Sequence, residues 1–232
     1  QVLKHKIFPL PELLDDLLHI GRKGMGCPIE IEFSVNLYPE KDRKGDFFFL
    51  QIRPMVAEEE RFEVEISERD VKSAICRSSQ ALGNGKTNRI ADIVYVKPED
   101  FKVESTVQMS GEIGQINAAL SKEKRPYLLV GPGRWGSADR WLGIPVQWKD
   151  ISGVGAIIEL RNDQLKADPS QGSHFFQNIT SLGIPYLTVT EDAGDCFDWQ
   201  WVESLSPVQE TPFLRHVRLQ NRLTIKVDGQ KA

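Results

Sequence analysis

Four short apolar runs, at residues 90–96, 127–130, 155–160 and 185–189, constrain this chain most, because stretches of helical character separate them. Between the first two, residues 112–122 space Ile113, Ile116, Ala119 and Leu120 at helical intervals. Between the last two, residues 173–182 do the same with Phe175, Phe176, Ile179 and Leu182. The run at 155–160 reads as a buried strand. Strands alternating with helices at this spacing predict an α/β fold, or a mixed α+β fold of sheet and helices.

The preceding residues form a different pattern. Leu10, Leu13, Leu14, Leu17, Leu18 and Ile20 predict a helix over residues 9–23, with acids near its start, Arg22 and Lys23 near its end, and Gly24 and Gly26 to stop it. Strands at residues 29–37 and 47–52 follow, joined by a polar turn, and Pro54 closes the second. The run Ala57-Glu-Glu-Glu-Arg61 then reads as a solvated linker and a domain boundary. Further strands are predicted at 62–66 and 219–227. The resulting division is 1–60, 61–204 and a C-terminal strand and tail at 205–232.

Composition narrows the function classes. The 232 residues are 40% hydrophobic, enough for one core or two, and the net charge of −4 comes with no basic stripe, which excludes a general attraction to nucleic acid. Cys27, Cys76 and Cys196 are odd in number and widely spaced, so neither a zinc site nor a redox pair is expected, and a reducing cytoplasm fits best. No apolar run is long enough to span a membrane and the first residues carry no basic-then-apolar pattern, so neither membrane insertion nor secretion is expected. Starting at Gln1 rather than Met, the sequence reads as a piece of something longer.

Three constellations carry candidate chemistry. Alternation along strands places Gln51 and Arg53 on one face and Glu30 and Glu32 on one face of the neighbour. Two readings fit: a cross-strand Glu–Arg pair, or a site where Glu32 and Gln51 hold Mg²⁺ while Arg53 grips a phosphate. Ser170-Gln-Gly-Ser-His174 places His174 and Ser173 at a helix start, where amide N–H groups and the helix dipole favour an anion. A neutral imidazole there is either a nucleophile towards phosphorus, with Ser173 bonding the transferred group, or a packing and capping residue. Finally, Gly131-Pro-Gly-Arg-Trp-Gly-Ser137 offers amides at Gly131 and Gly133 and a charge at Arg134 to an anion, with Trp135 stacking on a base; equally, it is a rigid turn in which Trp135 and Trp141 fill a small satellite core.

The wording of two of these segments resembles one family. Ile29-Glu-Ile-Glu-Phe-Ser34 and Phe49-Leu-Gln-Ile-Arg-Pro54 are similar to the end of the ATP-grasp domain in the phosphoenolpyruvate synthase and pyruvate phosphate dikinase family. Residues 71–189 resemble its swivelling β/β/α phosphohistidine domain, through Gly83-Asn-Gly-Lys86, the strand before His174, and Leu182-Gly-Ile-Pro185 after the helix. The resemblance implies metal ligation by Glu32 and Gln51, a phosphate contact from Arg53, and phosphorylation of His174. ATP and Mg²⁺ are then the cofactors, a small acceptor such as pyruvate the substrate, and the rest of a parent chain the partner, this piece alone being inactive. The departures are Gly172 for Thr, Phe175 and Phe176 for small residues, and Thr180 for Arg. Bulky neighbours of this kind are expected to narrow access to the histidine, which leaves open a non-catalytic regulatory or ligand-binding module of the same fold. The 126–154 segment is longer than the family's link.

Overall fold

The computed structural model describes residues 9–25, 29–38, 45–54, 64–137, 139, 141–161, 174–190 and 194–229. The chain divides into two compact units at Ala57/Glu58, within the charged run.

In the first unit, helix α1 (Leu10–Met25) packs on a hairpin of β1 (Ile29–Asn36) and β2 (Asp46–Pro54). The helix continues past Lys23 and through Gly24, so glycine does not stop it there; Gly26 lies outside the described residues. Gly21 is needed for packing instead. A Cβ at Gly21 would lie 2.3 Å from Ile29 Cδ1 and 2.7 Å from Ile52 Cδ1, so the bare backbone lets the helix approach the hairpin.

The second unit opens with α2 (Glu68–Ser73), whose Ser67 side chain accepts a hydrogen bond from the Asp70 amide while Asp70 bonds back in a capping box. Residues 64–67 are irregular rather than a strand, and 61–63 lie outside the described residues. Short strands follow: β3 (Cys76–Arg77), β4 (Gln80–Leu82), β5 (Asn84–Thr87) and β6 (Asp92–Val96). Helix α3 (Thr106–Lys122) leads to β7 (Tyr127–Pro132), and β8 (Arg134–Trp135) and β9 (Gly143–Ile144) lead to β10 (Val154–Leu160). Then come α4 (His174–Ser181), β11 (Tyr186–Val189), β12 (Cys196–Phe197), α5 (Trp199–Glu203), β13 (Pro207–Glu210), β14 (Leu214–Arg218) and β15 (Ile225–Asp228).

Seven strands form one mixed sheet in the order β13-β14-β6-β7-β10-β11-β4. The centre, β6-β7-β10-β11, is parallel and runs in chain order, with antiparallel strands at both margins. This bears out the mixed α/β expectation. Within the residues set apart at 205–232, β13 and β14 belong to the large sheet and β15 pairs with β5. The strand predicted at 219–227 is correspondingly broken, since the chain leaves the sheet after Arg218 and pairs again only from Ile225.

Right-handed crossovers stepping one way along a sheet pass over a single face. Accordingly α3, the β8–β9 segment and α4 share one core with that face. Met109, Ile113, Ile116 and Leu120 of α3 meet Val94, Leu129, Ile157 and Tyr186 there, with Trp135, Ile144, Phe175 and Ile179 beside them. Helix α3 begins six residues before the predicted start, at Thr106. Polar Ser110 and Asn117 lie on its buried stripe and dilute the apolar signal. Asn117 is satisfied there: Oδ1 accepts from Tyr127 Oη at 3.1 Å and from the Gly153 amide at 2.9 Å. On the other face, Ile93, Tyr95, Leu128, Val130 and Ile158 are covered by Phe197, Val202 and Trp199. Among the described residues, no helix is long and apolar enough to cross a membrane.

Candidate functional site

In parallel sheets, ligands bind beyond the carboxyl ends of the strands. Here that edge receives the end of β7 with the Gly131–Ser137 loop, the end of β10 with Glu159 and Arg161, and the start of α4 at His174.

The loop is built by packing. In register, Gly131 lies opposite Glu159, and a Cβ on Gly131 would sit 2.7 Å from Cζ2 of Trp135. The indole covers the glycine, is 1% exposed, and donates Nε1–H to the Ile158 carbonyl at 3.3 Å. Gly133 and Gly136 take φ values of 70° and 72°, the left-handed region that favours glycine. Their amides, with that of Arg134, donate to the carbonyls of Leu160 (3.0 Å), Ile144 (2.9 Å) and Leu142 (3.2 Å). Those three N–H groups are thus engaged within the protein rather than open to an anion. Trp135 belongs to the main core rather than a base-stacking surface or a satellite core, and Trp141 is 51% exposed.

Gly143 fixes the partner strand. A Cβ there would fall 1.9 Å from the Arg134 carbonyl oxygen, a backbone atom with no room to retreat. Gly143→Ala is expected to separate β8 from β9 and lower stability by about 1–3 kcal/mol, the usual range for overpacking. An unfolding midpoint equal to wild type in a urea titration would contradict this placement.

Behind the loop sits a buried polar group that the sequence reading did not single out. Glu159 is 0% exposed, and one carboxylate oxygen accepts the Tyr186 hydroxyl proton. Its other oxygen, Oε1, has no hydrogen-bond partner, and neither has the buried Nε of Arg134. Burial raises the Glu159 carboxyl above the usual range, against the Tyr186 hydrogen bond and the nearby charges of Arg161 and Arg134. Burial and the adjacent Glu159 push the Tyr186 phenol well up, while the Trp135 amide directed at its oxygen opposes them. The only sequence signal was an acid near the end of an otherwise apolar strand.

His174 is the first residue of α4, and Ser173 lies outside the described residues. The next residue, Phe175, is buried and directed inward: a Cβ on Gly136 would fall 2.5 Å from its ring. Phe175 therefore joins the core and ties the first turn of α4 to the loop.

In the first unit, Glu32 faces Gln51 and Glu30 faces Arg53 across the hairpin. Arg53 Nε lies 2.5 Å from Glu30, and its Nη2 lies 3.8 Å from Glu32, with all three side chains near half exposure. Sequence spacing thus brings the four residues together, and the cross-strand ion pair is present. Glu32 and Gln51 stand directly opposite each other in the register. Among the described residues, no group of three or more His, Cys, Asp or Glu is placed to hold a metal ion.

A groove of about 820 Å³ on the other face of the large sheet is floored by Leu128, Ile158 and Leu187. Its charged lining is largely committed: Lys226 pairs with Asp70 at 2.7 Å, and Asp195 accepts from the amides of Ser79 and Thr190. Cys76 and Cys196 are free thiols there or nearby, and burial, with the proximity of Cys196 and Asp195, pushes the Cys76 thiol up to about 12. Such a thiol is inert as a nucleophile.

No protein-family model, curated protein or solved structure matches the chain.

Proposed function

We propose that the chain is part of a cytoplasmic, ATP-dependent phosphotransferase of the phosphoenolpyruvate synthase type. The first unit supplies one wall of an ATP site, with Glu32 and Gln51 towards Mg²⁺ and Arg53 towards phosphate. The second is a carrier whose His174 accepts a phosphoryl group and passes it to a small acceptor such as pyruvate. One observation carries the reading: α4 starts at His174 after a parallel strand, with its first turn against the Gly131–Ser137 loop. A helix start at the carboxyl edge of a parallel sheet suits a phosphoryl group. The hairpin adds support. Its Phe48, Phe49 and Leu50 are 46%, 45% and 63% exposed, and a two-stranded hairpin is marginal alone, as befits part of a larger sheet.

A second reading, a ligand-binding module of the same fold without phosphoryl transfer, draws on the loop, whose amides at Gly133, Arg134 and Gly136 are spent on internal carbonyls. Incubating the full-length protein with ATP labelled at the β or γ phosphate separates the two. Acid-labile label on the wild type and none on His174→Ala is the expected result. An unlabelled wild type, with ATP and Mg²⁺ bound, would overturn the transfer reading in favour of the second.

A further inference from the structure

We propose that Arg134, Glu159 and Tyr186 form a binding site for a small monocarboxylic acid that carries a hydrogen-bond donor beside its carboxylate, a 2-hydroxy or 2-amino acid. The site stands on geometry independent of His174. Glu159 is fully buried with Oε1 unpartnered, and Arg134 Nε is buried and unpartnered on the strand-end loop beside it. Glu159 lies within electrostatic reach of Arg161 and of Arg134, yet no ion pair within 4 Å joins Glu159 and Arg134. Leaving a buried acceptor and a buried donor unmet is costly, because each gives up its hydrogen bonds to water without replacement. Neighbouring groups that stay unpaired at the carboxyl edge of a parallel sheet are therefore matched to something that enters between them.

The unmet groups define the ligand. The planar guanidinium of Arg134 suits a carboxylate, and Glu159 Oε1 requires a donor one or two bonds away from it. A phosphate dianion fits worse, since it would face the Glu159 carboxylate. A nucleobase finds no stacking surface at Trp135, which is buried beneath the loop. Tyr186 is the positioning residue: its hydroxyl holds Glu159 Oε2, which turns Oε1 away from it, and the Trp135 amide holds that hydroxyl in turn. The packing glycines Gly131, Gly136 and Gly143 thereby acquire a reason, because they fix Trp135 and Arg134 in one register over Glu159.

The test is a titration of the full chain, without ATP, with L-lactate, L-alanine, propionate and inorganic phosphate, following the Arg Nε–H resonances by NMR. Lactate or alanine should saturate the Arg134 signal, and whichever does so assigns the donor as hydroxyl or ammonium. Propionate, which keeps the carboxylate but lacks the donor, should bind roughly tenfold more weakly, the worth of one buried hydrogen bond to a charged group. Arg134→Met should abolish binding, and Glu159→Gln should remove the preference over propionate. Tyr186→Phe should weaken that preference while retaining propionate binding, which keeps the test informative if Glu159→Gln fails to fold. Absence of saturable binding, equal affinity for lactate, alanine and propionate, or preferential binding of phosphate would each overturn the proposal. Because no phosphoryl transfer is read, its failure is distinct from failure of the phosphotransferase reading.

Discussion

Trp135→Ala should lower the stability of the second unit by about 3–5 kcal/mol, the range for removing a buried tryptophan. The indole is 1% exposed and lies between Gly131 and the core formed by α3, α4 and the sheet. Removing it opens a void that cannot collapse readily, because Gly131, directly beneath it, has no side chain to move in. It also deletes the Nε1–H bond to Ile158, leaving that carbonyl short of a donor. Far-UV circular dichroism in a denaturant titration reads the loss without relying on tryptophan fluorescence. A shift equivalent to less than about 1 kcal/mol would mean that the indole does not fill the core. The loop should lose its register as well, so the Arg134 resonance should cease to respond to lactate or alanine.

Asp92→Ala should cost about 3 kcal/mol, for a different reason. Asp92 is 1% exposed at the start of β6 and gathers three cationic or potentially cationic partners. Arg125 reaches Oδ2 at 2.6 Å, and Arg218 and His216 reach Oδ1 at 2.8 and 2.9 Å. These bonds tie the turn after α3 to β14 through β6, segments that the sequence separates widely. Burial alone would raise the Asp92 pKa, but the hydrogen bonds from Arg218, His216 and Arg125 together win, and it falls below the usual aspartate value. A depressed folded pKa means that the carboxylate contributes fully above its unfolded pKa, near 3.9, and that the contribution is lost as pH falls through the lower folded value. Wild type should therefore lose this stability as pH drops below about 4, whereas Asp92→Ala should show a flatter acid limb. Identical acid limbs for the two proteins would show that the network contributes nothing.

Both effects explain where the sequence was readable. The apolar runs of β6, β7, β10 and β11 were legible because strands buried on both faces need continuous apolar residues, and that pattern survives in one dimension. The hairpin constellation was legible for a related reason: alternation alone places Glu30, Glu32, Gln51 and Arg53 on shared faces, and β1 and β2 are adjacent in the chain. Helix α3 was read short at its start because polar Ser110 occupies its buried stripe ahead of Ile113. The C-terminal strands were misplaced because β14 owes its position to Asp92 and β6, over a hundred residues earlier.

By itself, then, the sequence determined an α/β sheet with helical crossovers, the hairpin face, and a helix beginning near His174, all consequences of periodicity and of residues close along the chain. Only the tertiary structure decided how the Gly131–Ser137 loop is built. Its glycines are set by Trp135, Phe175 and the Arg134 backbone, and its amides by Leu142, Ile144 and Leu160. The unpaired Glu159 and Arg134 come together only when β7 and β10 lie side by side. Whether a buried charge has a partner depends on contacts across the sheet, and spacing along one strand carries no record of them.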